Sequence, residues 1–316
     1  MIEKKYAVIL LNYNTAEDAV IAASSIVNNA ISDDYLICFI DGCSTKPNQT
    51  DIFKAANIHN TVVLELNENI GYARGNNAGI KYLLEKYNVF HFVIMNPDVE
   101  IKTKGLIDNL IDCLSELDTS YCGIQPLVWT PSICNDSRKQ TCIRKVYSYF
   151  DCIMDSFFPI RKLFIKKYHK IIYYKERPYK QLIDFEVPSG CFFIIKADVF
   201  YRVGLFDERT FLFAEEIILG YKLKQKGYKF ILNPKYEVIH EGGKSTGSHE
   251  IISRFVAKEE IKSLEMYLRY YLNCGVFKRK FVKALFMLNY FCKKCVCLDR
   301  LQIKSIINYN RKINTK

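Results

Sequence analysis

No stretch of this 316-residue sequence stays apolar for the roughly 18 to 20 residues that a membrane-spanning helix needs. No small-residue cleavage site follows the opening "MIEKKYAVILLNYN", which runs straight into a strand pattern, so a cytoplasmic chain is expected. The dinucleotide fingerprint, with glycines at i, i+2 and i+5, is missing, and so is the Gly-Lys-Ser/Thr ending of a P-loop. That absence argues against a nicotinamide enzyme. The twelve cysteines are scattered and, with no secretion signal, are expected as reduced thiols. One C-x-x-C lies in "CKKCVC" at 292–297, but no second ligand pair follows at zinc-site spacing.

Net charge is also missing from most of the chain. The whole carries +11, while residues 251–316 alone hold 15 Lys and Arg against 4 Asp and Glu. The first 250 residues are therefore formally neutral. A general nucleic-acid binder would not confine its positive charge in this way, so no nucleic-acid partner is expected.

What is present is an alternation of strand and helix patterns. "YAVILLNYN", "YLICFIDGCS", "TVVLELNENIG" and "VFHFVIMNPDV" are apolar runs that end in polar residues, as buried parallel strands do. Helical patterns separate them: "AEDAVIAASSIVNN", with Thr15 placed to cap it, a helix through Lys81, Tyr82 and Leu84, and "KGLIDNLIDCLSEL". This order predicts an α/β chain with a mostly parallel, Rossmann-like sheet flanked by helices. Residues 131–183 lose the periodicity and read as an insertion or flap. Order returns with "DFEVPSGCFFIIKADVFYRVG" and continues through a helix, for which Gly227 is a suitable C-cap, into the strand "KYEVIH".

Ligands of such sheets bind at the carboxyl ends of the strands. The polar residues gather there: Asn12 and Tyr13, Asp41, the loop "NENIGYARGNNAGI" at 67–80, and Asn96 to Asp98. The loop carries glycines at 71, 75 and 79 and one cation, Arg74. Bare N–H groups before a helix favour an anion. Asp98 stands where one carboxylate, water and substrate phosphates can share a hard cation, although Asn-Pro-Asp is equally a turn sequence. Glu215 and Glu216 open a helix, where the dipole favours acids and where one can also serve as a general base. His240 ends a strand ahead of Glu241, two glycines, Lys244 and Ser245, in keeping with a role at phosphate or metal.

Taken together, these segments resemble the family 2 glycosyltransferases of the GT-A fold, in their rhamnosyltransferase-like branch. "VILLNYN", "IDGCST", "NIGYARGNNAGI", "IMNPDV", "VPSGCFFIIKADVFYRVGLFDERTFLFAEE" and "VIHEGGKST" occur in that family's order, between about residues 6 and 270. The resemblance implies an inverting enzyme that takes sugar from a nucleoside-diphosphate sugar, UDP- or dTDP-linked, to a glycan or lipid-linked acceptor in surface polysaccharide synthesis. It implies Asn12, Tyr13, Asp41, Asn69, Gly71, Arg74 and Asn96 as the donor pocket. It further implies Asp98 and His240 at Mg2+ or Mn2+, and Glu216 as the base with Glu215 beside it. The chain departs from the family pattern at Gly42, Asn96, Glu216 and Ile218. A non-catalytic nucleotide-sugar-binding or scaffold protein on the same fold is the alternative.

The expected organisation is a GT-A domain over 1–270 and a basic, amphipathic helical tail over 271–316. "FKRKFVKALFMLNYFCKKCVCL" in that tail mixes lysine and arginine with aromatic and aliphatic residues. It suits the interface of an anionic membrane, which would place the protein peripherally at the inner face of the cell membrane. Packing of its apolar face on the domain is the other reading.

Overall fold

The computed structural model describes residues 1–130, 143–163, 179–241 and 253–313, with backbone alone at 161–162 and from 295 onward. Six strands and helices alternate first: β1 (Ile2–Asn12), α1 (Ala16–Asn29), β2 (Tyr35–Asp41), α2 (Gln49–Ala55), β3 (Thr61–Glu65) and α3 (Gly71–Lys86). β4 (Tyr87–Met95), the two-residue β5 (Val99–Glu100), α4 (Leu106–Ser115) and β6 (Tyr121–Trp129) follow. β1 pairs in parallel with β2 and β4, and β2 with β3. Asn12, Asp41 and Glu65 are therefore level at one edge of the sheet.

The second half inserts an antiparallel strand. β8 (Phe192–Lys196) lies between β4 and β6 and opposes both. β9 (Lys229–His240) runs parallel to β6 and antiparallel to β5 and to β7 (Ile183–Phe185). The full order is β3-β2-β1-β4-β8-β6-β9-β5, with β7 also on β9. The expected α/β sheet flanked by helices is what forms; its parallel character belongs to the first four strands and to the β6–β9 pair.

Both faces of the sheet are covered, which explains the unbroken apolar runs. Side chains alternate along a strand, so Tyr6, Val8 and Leu10 join one core while Ala7 and Ile9 join the other. The first core is closed by α1 and α4, through Ala19, Ala23, Leu106 and Leu110. The second is closed by α3, α7 (Ala197–Arg202) and α8 (Glu215–Gln225), through Ala73, Ile80, Phe200 and Leu219.

Two local expectations change. Thr15 occupies the N-cap of α1, but its hydroxyl donates to Asn12 Oδ1 at 3.0 Å instead of capping. The free Ala16 N–H donates to Gln49 Oε1 at 3.1 Å, so a residue from α2 does the capping. The glycine-bearing stretch at 67–80 is a loop only as far as Ile70, because α3 already begins at Gly71. Gly75 and Gly79 lie inside that helix against the sheet. A Cβ at 75 would stand 2.8 Å from Leu11 Cδ1, and one at 79 would stand 2.3 Å from Ile40 Cδ1. Gly75 and Gly79 thus form a helix face that lets α3 lie close on β1 and β2, while Gly71 lines a cleft at the strand ends.

A third, smaller core joins the remaining elements. α5 (Tyr149–Ser156) and α6 (Phe158–Leu163) come from the described part of the 131–183 segment; residues 131–142 and 164–178 lie outside it. Ser148 caps α5 in a reciprocal capping box with Asp151. Cys152 and Met154 of α5 pack with Ile218 of α8, with Tyr267 and Leu268 of α9 (Arg254–Tyr270), and with Val282 of α10 (Val276–Ile313). Fully burying Val282 is worth about 2 kcal/mol, so the start of the long last helix is anchored to the domain.

Candidate active site

A cleft of about 810 Å³ opens at the carboxyl ends of the first strands. One end is lined by Asn12, Tyr13, Gly42, Asn69 and Gly71; Asn96, Gly190, Cys191, Glu215, Glu216 and His240 form its middle. The other end is walled by α5, α9 and α10, through Ser156, Glu260, Leu264 and Phe286.

Of the donor-pocket residues expected from sequence, Asn12 is a buried hub. Its Nδ2 donates to Asp41 Oδ1 at 2.9 Å and its Oδ1 accepts from Thr15 N. Asp41 also accepts from Ser44 N at 3.0 Å and Ser44 Oγ at 2.6 Å, and it does not line the cleft. Asn69 Oδ1 accepts from Gly71 N at 3.1 Å, an Asx turn that shapes the entry to α3. Arg74 turns away from the cleft, its Nε donating to the Glu208 carbonyl at 2.8 Å. Asn77 clamps the same loop, donating to Phe206 O and accepting from Phe206 N. Arg74 and Asn77 are therefore spent on holding the 205–212 loop, while Asn76 donates back to Tyr72 O at 2.9 Å within α3.

Asp98 and His240, distant in sequence, meet through the β5–β9 pairing. Val99 stands opposite His240, and Glu241 N donates to Asp98 O at 3.1 Å. Asp98 Oδ1 then lies 3.2 Å from His240 Nε2. Burial alone would lower the imidazole pKa, but hydrogen bonds to Asp98 and Cys191 outweigh it, and the ring is pushed up to about 10. An imidazolium thus stands against the carboxylate. Among the described residues no group of three or more His, Cys, Asp or Glu side chains can hold a metal ion alone. With the imidazolium proton displaced, the carboxylate and the neutral imidazole fit a cation whose remaining ligands are water and substrate phosphate; His240 and Asn96 line the cleft, whereas Asp98 is not among its lining residues. The Gly-Gly-Lys-Ser that follows His240 lies outside the described residues, as do the side chains of Cys295 and Cys297.

The two glutamates enter at the N-terminus of α8. Phe213 and Ala214 just before it have φ of 73° and 65°, a left-handed pair that costs about 1–3 kcal/mol per residue. α9 holds that turn in place: Ser263 Oγ donates to Leu212 O at 2.8 Å, and Phe211 packs edge-on against Phe255. The strained turn swings both acids into the cleft and gives them different surroundings. Glu215 is 2% exposed, and its Oε1 has no hydrogen-bond partner. Burial, then the neighbouring Glu216 charge, raises its pKa well above the carboxylate range, so it is the protonated member. Glu216 is part-exposed and lies against Gly190, where a Cβ would stand 1.7 Å from its Oε1. Tyr72 completes the group, its hydroxyl donating to Gly190 O at 2.8 Å. Sequence reading missed Tyr72 and Gly190. Both lay within quoted segments, "VPSGC" and "NIGYARGNNAGI", but neither was singled out for a role.

A nine-stranded sheet with a cleft at its strand ends, a carboxylate–imidazole pair at one strand junction and an acidic pair heading a helix define the GT-A glycosyltransferase fold. Three solved structures share it. They are GalNAc-T7 with UDP, GalNAc and Mn2+ (TM-score 0.56, 16% identity, 84% of this chain and 48% of that one); the Pyrobaculum calidifontis mannosyltransferase with GDP-Man and Mn2+ (0.54, 13%, 100% and 82%); and S. aureus TarS 1-349 (0.51, 13%, 91% and 72%). In sequence the chain is similar to the N-acetylglucosaminyl-diphospho-decaprenol L-rhamnosyltransferases of two Mycobacterium tuberculosis strains, at 28% identity over 197 residues. The match covers 60% of this chain and about three fifths (61%) of the length of those curated relatives. The chain thus has a GT-A fold and, over part of its length, is similar in sequence to these rhamnosyltransferases. No family model matches it.

Proposed function

We propose that this chain is an inverting glycosyltransferase. It moves a sugar from a UDP- or dTDP-linked donor, with rhamnose favoured by the relatives, to a hydroxyl of a glycan or lipid-linked acceptor in surface polysaccharide synthesis. The observation that carries the reading is the placement of Glu215 and Glu216 in the same cleft as Asn96 and as His240, which pairs with Asp98. The lipid diphosphate in the name of the mycobacterial relatives supports the acceptor class.

The nucleotide end of the donor lies along Tyr13, Gly42, Asn69 and Gly71, with its diphosphate toward Asn96 and Asp98. Mg2+ or Mn2+, held by Asp98 and His240, would supply positive charge that stabilises the leaving diphosphate. Glu216, the part-exposed member of the pair that lines the cleft, takes the proton of the acceptor hydroxyl. The acceptor oxygen bonds to the anomeric carbon from the face opposite the diphosphate. The bond from that carbon to the diphosphate oxygen breaks, and its electron pair leaves with the nucleotide. One displacement inverts the anomeric centre and needs no protein nucleophile. Glu215, enclosed and with its pKa raised well above the carboxylate range by burial and the neighbouring glutamate, serves as the neutral member of the pair.

The test is release of nucleoside diphosphate from a panel of UDP- and dTDP-sugars, with and without Mn2+. Donor-dependent release that is lost in Glu216→Gln and in Asp98→Ala is expected. Failure to bind any nucleotide sugar, or unchanged turnover in both variants, would overturn the assignment.

A further inference from the structure

Over its described side chains, residues 276–294, the last helix has two apolar faces, and only one is packed. Val282 and Asn289 are buried, Phe286 lines the cleft, and Arg279 and Lys283 reach Glu265 of α9 at 3.6 and 3.8 Å. These residues lie on one side of α10. Phe277, Phe281, Ala284, Leu288 and Phe291 recur at spacings of four, three, four and three, so they share the opposite side. All five are exposed, Phe277 by 90%. At 100° per residue, Lys280 and Lys294 border this stripe on one edge and Lys278 on the other, and all three are exposed. The adjoining α6, whose Phe158 N–H donates to Asn289 Oδ1 at 3.3 Å, adds exposed Phe158 and Leu163.

We propose that this outer face of α10 docks in the plane of an anionic lipid surface. The charge distribution selects the occupant. The whole formal surplus of +11 lies beyond residue 250, and an apolar stripe edged by lysines matches acyl chains beneath anionic headgroups. A soluble acidic partner would leave three phenylalanines and a leucine without apolar cover. Docking is interfacial, because no helix of the described residues is long and apolar enough to cross a membrane. The inner face of the same helix carries Phe286 into the far end of the cleft. A docked α10 therefore sets that end against the lipid surface, where a lipid-linked acceptor is held. This last consequence rests on the transfer reading; the docking itself does not.

The test is sedimentation of the full chain with vesicles of phosphatidylglycerol and phosphatidylcholine, and with phosphatidylcholine alone. Phe277→Ser/Phe281→Ser/Phe291→Ser removes the stripe without touching the buried face, so its melting transition is expected to stay within a few degrees of the parent. Binding to anionic vesicles at low salt, reduced at least about tenfold in this variant, is the expected result. Lys278→Glu/Lys280→Glu is expected to weaken partitioning about fivefold or more per lysine and to make it less sensitive to salt. The proposal is overturned if the full chain does not pellet with anionic vesicles or if the stripe variant pellets equally. It is also overturned if sedimentation velocity without lipid shows a dimer that the stripe variant abolishes. None of these outcomes depends on nucleotide-sugar turnover, so the docking can fail while the transferase reading stands, and the reverse.

Discussion

Gly71 and Phe211 pack backbone against backbone. Tyr72 N donates to the Phe211 carbonyl at 2.8 Å, and a Cβ on Gly71, whose φ is +83°, would stand 2.2 Å from that oxygen. The first residue of α3 is thereby fastened to the loop that leads into the acidic pair, so the two segments of the cleft wall are tied to each other.

Gly71→Ala is expected to break this contact. The new methyl meets a left-handed backbone and a carbonyl that cannot move alone, which together cost about 2 kcal/mol or more. Gly75→Ala, facing only the Leu11 side chain, is expected to cost less. Urea unfolding of the two variants gives the comparison, and equal losses would contradict it.

The two glutamates are expected to respond differently to amide replacement. Glu216→Gln removes the proton acceptor, so turnover should fall by about 10²-fold or more while donor binding survives. Glu215→Gln replaces a group that is already neutral, so turnover should stay within about tenfold of the parent. A dead Glu215→Gln beside an active Glu216→Gln would move the base by one residue.

Gly190→Ala tests the position of Glu216 without removing it. Gly190 has an ordinary backbone, and the atom its Cβ would displace is the tip of the Glu216 side chain. Turnover is expected to fall about tenfold or more with the melting temperature nearly unchanged, because the glutamate tip moves and the core does not. Retained activity would mean that the Glu216 carboxylate is not needed where it lies.

Asp207 supplies a pH signature. Burial pushes its carboxyl up, but hydrogen bonds from Arg209 and from the Tyr271 hydroxyl outweigh that and hold it at about 2. A folded pKa below the unfolded 3.8 gives stability that is present at neutral pH and lost as pH falls from about 4 toward 2. Asp207→Asn is expected to cost about 1–2 kcal/mol at pH 7, with the gap to the parent closing near pH 2. Chemical denaturation at pH 7, 4 and 2.5 measures it; a gap that does not narrow would remove the carboxylate from the network. The anchor matters because Tyr271 follows α9, and Arg209 also lies over the Tyr270 ring at 4.3 Å.

Much of the architecture was legible because strands buried on both faces leave an unbroken apolar signature. β1 and β2 were read from "YAVILLNYN" and "YLICFID" for that reason. The 67–80 stretch was harder. A glycine every fourth residue is compatible with a bare loop or with a helix face pressed on a sheet. Only the nearness of Leu11 and Ile40 distinguishes the two.

The sequence by itself determined the alternation of elements, the polar strand ends that line the cleft, and the confinement of charge to the last 66 residues. These are properties of local period and composition, which a one-dimensional pattern carries. Tertiary structure alone decided that Asp98 meets His240, that Asn77 and Arg74 serve the 205–212 loop, and that Glu215 is enclosed while Glu216 is not. It also decided that α10 has one apolar face packed and another open. Each depends on which segments distant in the chain become neighbours, and a carboxylate's charge state follows from those neighbours' dielectric and charge, not from the residues beside it in the chain.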